Sequence, residues 1–166
     1  MRRLLATLVA MLPLAGLAQD TGPGPVATPT GLTVTASLGG GGELGLSSGK
    51  AGVSELEGTV GYELAGGLLR PELGATLGLS PDTHVALRPG VRVPLPNVPI
   101  QIRAALDASN SRGGTGLDWR WLLVGVAAEL RWTSVLGLYA EVDTGARLSS
   151  KAGLPLLVRA GASFRL

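Results

Sequence analysis

From residue 32 to its last residue the chain alternates apolar and polar side chains, and a period of two belongs to β-strands rather than helices. Residues 32–38 set Leu32, Val34, Ala36 and Leu38 against Thr33, Thr35 and Ser37. Residues 53–64 oppose Leu56, Val60, Tyr62 and Leu64 to Glu55, Glu57 and Glu63. Residues 68–79 oppose Leu69, Leu73, Leu77 and Leu79 to Arg70 and Glu72. In 84–93, Val85, Leu87, Val91 and Val93 alternate with His84, Arg88 and Arg92.

The second half repeats the pattern. Val98, Ile100, Ile102 and Leu106 alternate with Gln101, Arg103 and Asp107 in 98–108. In 117–132, Leu122, Val124, Val126, Leu130 and Trp132 alternate with Glu129 and Arg131. Residues 135–147 set Leu136, Leu138 and Val142 against Tyr139, Glu141, Asp143 and Arg147. Residues 155–166 set Leu156, Val158, Phe164 and Leu166 against Arg159, Ser163 and Arg165. From the second segment onward, the charges on the apolar parity are Asp118 and Arg120.

The connections alternate as well. Those at 39–52, 80–83, 109–116 and 148–154 are long or polar, whereas 65–67, 94–97 and 133–134 are tight. Short turns on one rim and longer loops on the other describe an all-β, eight-stranded, antiparallel up-and-down barrel, and strands of about a dozen residues are long enough to cross a bilayer at a tilt. No apolar run after residue 18 approaches the length of a spanning helix.

A soluble lipocalin-like barrel shows the same alternation with its faces exchanged, so the charged parity must be assigned to the inside or the outside. Its basic residues are arginine apart from His84, while Lys50 and Lys151 lie in long connections. Arginine suits an enclosed site because its planar fork satisfies carboxylates bidentately. Eight acids (Glu55, Glu57, Glu63, Glu72, Asp107, Glu129, Glu141, Asp143) face eight arginines (Arg70, Arg88, Arg92, Arg103, Arg131, Arg147, Arg159, Arg165). Such balance is what an interior charge network requires, since an unpaired buried charge is costly. Tight hairpins would set Glu63 against Arg70 and His84 against Asp107, and closure over 148–154 would set Asp143 against Arg159. Tyr62, Trp132 and Phe164 fall near the tight-turn ends of their segments, and Trp119 and Trp121 near the opposite end, as a sparse aromatic girdle would.

The N-terminus reads as an export signal over residues 1–18, with Met1-Arg2-Arg3, an apolar stretch and the small-residue exit Gly16-Leu17-Ala18. Residues 19–30, with Pro23, Pro25 and Pro29, read as an irregular periplasmic leader, and residues 31–166 as the barrel domain. Without Arg2 and Arg3 the charges balance at twelve of each sign, which leaves no basic footprint for nucleic acid. The absence of cysteine excludes disulfides and thiolate metal sites. A single histidine argues against a histidine metal centre.

Catalysis would need a nucleophile, a base and an orienting group. His84 has Ser80 and Asp82 close in sequence, but Val85-Ala86 follow it, so it reads as a member of the polar network. The glycine stretches 39–42 and 113–116 lead into no helix with a phosphate-binding lysine, and read as loop tips.

The terminal run Val158, Ala160, Ala162, Phe164 and Leu166 resembles the last strand of bacterial outer-membrane barrels. With the signal and the eight segments, residues 31–166 are similar to the small OmpA/OmpX-type barrel family. The resemblance implies outer-membrane lipid as surroundings, recognition of the last strand by the barrel assembly machinery, a monomer, and no cofactor. Leu166 departs from the aromatic that many members carry at the end. An interior of eight strands is just wide enough to be filled by side chains. The expected function is therefore a structural or interaction barrel without a large pore, rather than an enzyme. The alternatives are a narrow porin-like or hydrophobic-ligand conduit and the soluble lipocalin-like barrel.

Overall fold

The alternating segments form eight antiparallel strands: β1 (Leu32–Leu44), β2 (Gly52–Tyr62), β3 (Arg70–Ser80), β4 (His84–Pro94), β5 (Ile100–Ser109), β6 (Asp118–Arg131), β7 (Leu136–Arg147) and β8 (Leu154–Arg165). Each pairs with its neighbours in sequence, and β1 pairs with β8 to close the barrel. The computed structural model describes residues 31–45, 52–64, 67–80, 82–110, 116–150 and 152–166. The expected signal and leader, Lys50, Lys151 and residues 113–115 of the second glycine stretch lie outside the described residues.

Closure removes the edges that an open sheet would expose. Outside, Leu56, Leu73, Leu87, Val124, Val126, Val142 and Val158 stand exposed, together with most of the apolar parity. Inside, the charged parity is buried except toward the strand ends. A water-soluble barrel would have these faces reversed. An 11-residue strand rises about 36 Å and, tilted by about 40°, spans about 28 Å, close to the apolar band of a membrane barrel.

Three local features depart from the sequence reading. The glycine stretch 39–42, expected as a loop tip, continues β1 to Leu44, with Gly42 opposite both Gly52 and Leu156. A Cβ on Gly41 would collide with the Leu156 carbonyl oxygen, so glycine lets β1 and β8 lie close here. The turn expected at 94–97 lies two residues further along, at 96–99. Leu95 N–H donates to the Ile100 carbonyl at 2.8 Å, Pro94 faces Gln101, and Asn97 takes the left-handed conformation at φ 65°.

The third departure is an irregularity between β5 and β6, where Asp107 faces Trp121 but Ala108 faces Trp119. The extra residue is a bulge, which re-aims side chains at a barrel rim. It turns Arg120 inward beside Trp121, which shares the inward parity of Leu123 and Glu129, while Trp119 stays outside. Trp121, expected in the outer aromatic girdle, is therefore 1% exposed in the interior.

Candidate functional site

The interior is a network of ion pairs, since each strand contributes its charged parity to a space too narrow for water to solvate the charges. Of the expected members, Glu55, Glu57, Glu63, Arg70, Glu72, His84, Arg88, Arg92, Arg103, Asp107, Glu129, Glu141, Asp143 and Arg159 are buried there. Arg165 is half-buried at the tight-turn rim. Arg131 and Arg147 are not in the interior. They share its parity but lie at strand ends, beyond the sealed section, and both are exposed.

At mid-height the arginines each bridge several carboxylates. Arg88 holds Glu55 through Nη1 and Nη2 (2.7 and 2.8 Å), Glu57 (2.5 Å) and, through Nε, Asp107 (2.7 Å). Arg103 reaches Glu57 (2.9 Å), Glu72 (2.6 Å) and Glu141 (3.0 Å). Arg92 pairs with Glu72 (3.1 Å) and Glu141 (2.5 Å) and stacks 5.9 Å from the Tyr139 ring centroid. Arg159 pairs with Glu57 and Asp143, and with Glu141 at 2.6 Å. Charge-assisted, multidentate pairing of this kind is what offsets the desolvation of buried ions.

Glycines on the facing strands make room for these groups. A Cβ on Gly39 would strike the Arg159 side chain, one on Gly125 the Asp143 carboxylate, and one on Gly78 the His84 ring. The His84 ring turns to its own loop, with Nδ1 2.9 Å from the Asp82 carbonyl oxygen.

The expected pairings fare differently. Glu63 and Arg70 meet at 3.5 Å. Asp143 and Arg159 do pair, but diagonally, because Glu141 is the residue directly across from Arg159. His84 does not face Asp107. The β4–β5 turn lies two residues further along than expected, which slides the register by four residues, and Arg88 takes that place.

Each rim has its own cluster. At the tight-turn rim Arg70 donates to Gln101 (3.1 Å), Gln101 donates to Glu129, and Arg165 pairs with Glu129 at 3.2 Å. Gln101 stood on the polar parity, yet a count of charges passes over it. At the loop rim Glu43 accepts from Arg120 and from the Gly153 backbone N–H at 2.9 Å. Trp121 Nε1 donates to the Gly153 carbonyl at 3.0 Å, and the Arg120 guanidinium lies 3.9 Å from the Trp121 ring centroid. Trp121, Leu123 and Ala152 form a small apolar cluster beneath this latch. Sequence reasoning missed Glu43 because β1 seemed to end before it, and Arg120 because the bulge reverses its parity.

Among the described residues no group of His, Asp and Glu is arranged to hold a metal ion. The arrangement fills the lumen and holds the strands together from within.

No protein-family model matches the sequence, and no curated protein matches it. Solved structures do match in shape. A de novo designed transmembrane β-barrel is similar at 15% identity and a TM-score of 0.57, over 83% of this chain and 97% of that one. The N-terminal β-barrel domain of Pseudomonas aeruginosa OprF matches at 15% identity and a TM-score of 0.54, over 81% and 97%. Neisserial surface protein A matches at 14% identity and a TM-score of 0.53, over 81% and 96%. The chain has the fold of the small eight-stranded outer-membrane barrels.

Proposed function

We propose that this protein resides in the bacterial outer membrane as a structural or interaction barrel whose lumen is filled by side chains and carries no large pore. One observation supports this above the others: Arg88 and Arg103, at mid-height of the lumen, are 0% exposed, while the leucines and valines of the alternate parity face outward. An apolar exterior around a charged, ion-paired interior is stable in lipid and unfavourable in water. It disfavours both the soluble lipocalin-like reading and a wide aqueous channel. The latch of Glu43, Gly153 and Trp121 adds a closure at the loop rim.

The protein does no chemistry in this reading, because His84 is engaged with the Asp82 backbone carbonyl rather than with a nucleophile. Export would use residues 1–18, and the outward row Val158, Ala160, Ala162, Phe164 and Leu166 on β8 would present the assembly signal. The protein would act as a monomer in outer-membrane lipid, without a cofactor.

The test is folding of the chain from Gln19 into vesicles, followed by electrophoresis in SDS with and without boiling. A closed membrane barrel migrates differently until it is heated. Planar-bilayer recording of the same material should then show no stable conducting state. Sustained ohmic currents would favour the porin-like conduit instead.

A further inference from the structure

The pairing of strands runs unbroken along both sides of β1, between β3 and β4, and from β6 through β7 to β8. Between β4 and β5 it does not. Leu87 faces Ala108 and Gly90 faces Ala105, but the two intervening pairs, Arg88 with Asp107 and Pro89 with Leu106, are missing from the ladder. The register is the same on both sides of the break, so no bulge accounts for it.

Proline accounts for it. Leu95 N–H donates to the Ile100 carbonyl at 2.8 Å, and Asn110 N–H donates to the Val85 carbonyl at 3.1 Å. Backbone groups point alternately to one neighbouring strand and the other, so these bonds mark the odd-numbered residues of β4 as those that bond to β5. Pro89 is one of them, opposite Leu106. It has no N–H, and the Leu106 carbonyl therefore receives no donor from β4. Proline in strands is ordinarily confined to edges and bulges, yet Pro89 stands in the middle of β4 in a closed barrel.

The other side of β5 gives this stretch no firmer hold. β5 is bulged against β6 between Asp107 and Ala108. Among the described strands, Leu106–Ala108 is the one stretch that is irregular toward both neighbours. Gly90, next to Pro89, adds no side chain to the seam; a Cβ there would come 2.8 Å from the Ala104 carbonyl oxygen.

A side-chain bridge stands where the backbone bond is lost. Arg88 and Asp107 form a non-hydrogen-bonded pair, the kind in which facing side chains come closest. Arg88 Nε donates to Asp107 Oδ2 at 2.7 Å on the lumen side of the break. At this height the seam is held by an ion pair rather than by its own ladder.

We propose that the β4–β5 seam at Pro89 and Leu106 is a lateral opening point: the wall parts there, between lumen and surroundings, while the rest of the barrel stays closed. The Arg88–Asp107 bridge is the catch that holds it shut. Parting brings the arginine–carboxylate network to the outer surface through the side of the barrel, whereas the loop mouth is latched through Glu43 and Gly153.

Amide hydrogen exchange of the folded barrel in micelles, resolved by residue with NMR, tests this. In the wild type the Leu106 and Ala108 amides should exchange about tenfold or more faster than Val158, which lies in unbroken pairing with β1 and β7. P89V returns an N–H to the ladder and should bring the same amides within about threefold of Val158. D107A removes the catch and should speed Leu106 and Ala108 further without moving Val158. P89V decides alone if D107A does not fold. Equal protection at Leu106, Ala108 and Val158 in the wild type, seam exchange unchanged in P89V, or a uniform acceleration in D107A would overturn the proposal. Mobility on an unboiled gel reports the membrane reading separately, because Pro89 and the register set the exchange pattern in any folded barrel.

Discussion

Arg88 on β4 and Asp107 on β5 face each other across the lumen wall, with Nε 2.7 Å from Oδ2, while the far end of the same guanidinium grips Glu55. One side chain thereby ties β2, β4 and β5 together, although β2 touches neither of the other two strands in the sheet.

Removing that tie should be among the most damaging single changes. Arg88→Leu leaves Glu55 and Asp107 buried without their main counter-charge, and breaking one side of a buried ion pair costs about 3–5 kcal/mol. Urea titration of the barrel in micelles, followed by loss of the heat-dependent gel shift, should show a midpoint well below that of the wild type.

The three tryptophans should report opposite sides of the wall. Trp119 and Trp132 are 51% and 75% exposed on the outside, whereas Trp121 is 1% exposed within. In vesicles containing brominated acyl chains, the wild-type fluorescence should be strongly quenched. The W119F/W132F double variant should be nearly insensitive. Trp121→Ala, which empties the apolar cluster and unpins Gly153, should cost about 3–5 kcal/mol of stability.

Much of this architecture was legible in the sequence because alternation reports which face each residue takes. It reports nothing about register beyond odd and even. Hence Glu63 meets Arg70 where a short turn fixes the offset, while Asp107 meets Arg88 rather than His84 because the turn around Asn97 sits two residues further along than its proline and asparagine suggested. Alternation also fails where side chains are missing or the count slips. Gly39–Gly42 carry no side-chain pattern, so β1 looked short and Glu43 looked like part of a loop. The bulge opposite Asp107 and Ala108 puts Arg120 on the inside against its parity. Arg131 and Arg147 have the inward parity, yet the strand ends leave them outside the sealed section.

The closing seam between β1 and β8 depends on small residues. A Cβ on Gly161 would press into the Ala36 carbonyl oxygen, which belongs to the backbone and cannot swing aside. Gly161→Val should lower the yield of heat-resistant barrel sharply. Ala160→Val, one residue along and facing outward, should leave it near the wild-type level.

A charge placed on the outer face should be penalised by depth. Val124 lies near the middle of β6 and is 47% exposed to the outside. Val124→Arg should destabilise the vesicle-folded barrel by about 2–4 kcal/mol, the cost of arginine near the bilayer midplane. The same substitution at the strand-end residue Leu130 should cost about 1 kcal/mol or less by the same depth rule.

The assignment of faces is tested most directly by spin labels placed one at a time along β8 in the vesicle-folded protein. Labels at Leu156, Val158, Ala160 and Ala162 should collide readily with dissolved oxygen, which concentrates in lipid, and poorly with a water-soluble nickel chelate. A label at Leu157, inside the wall, should be shielded from both. Chelate access along the Leu156 to Ala162 row would contradict the account, because it would place the apolar face in water and the charged network outside the protection of a membrane.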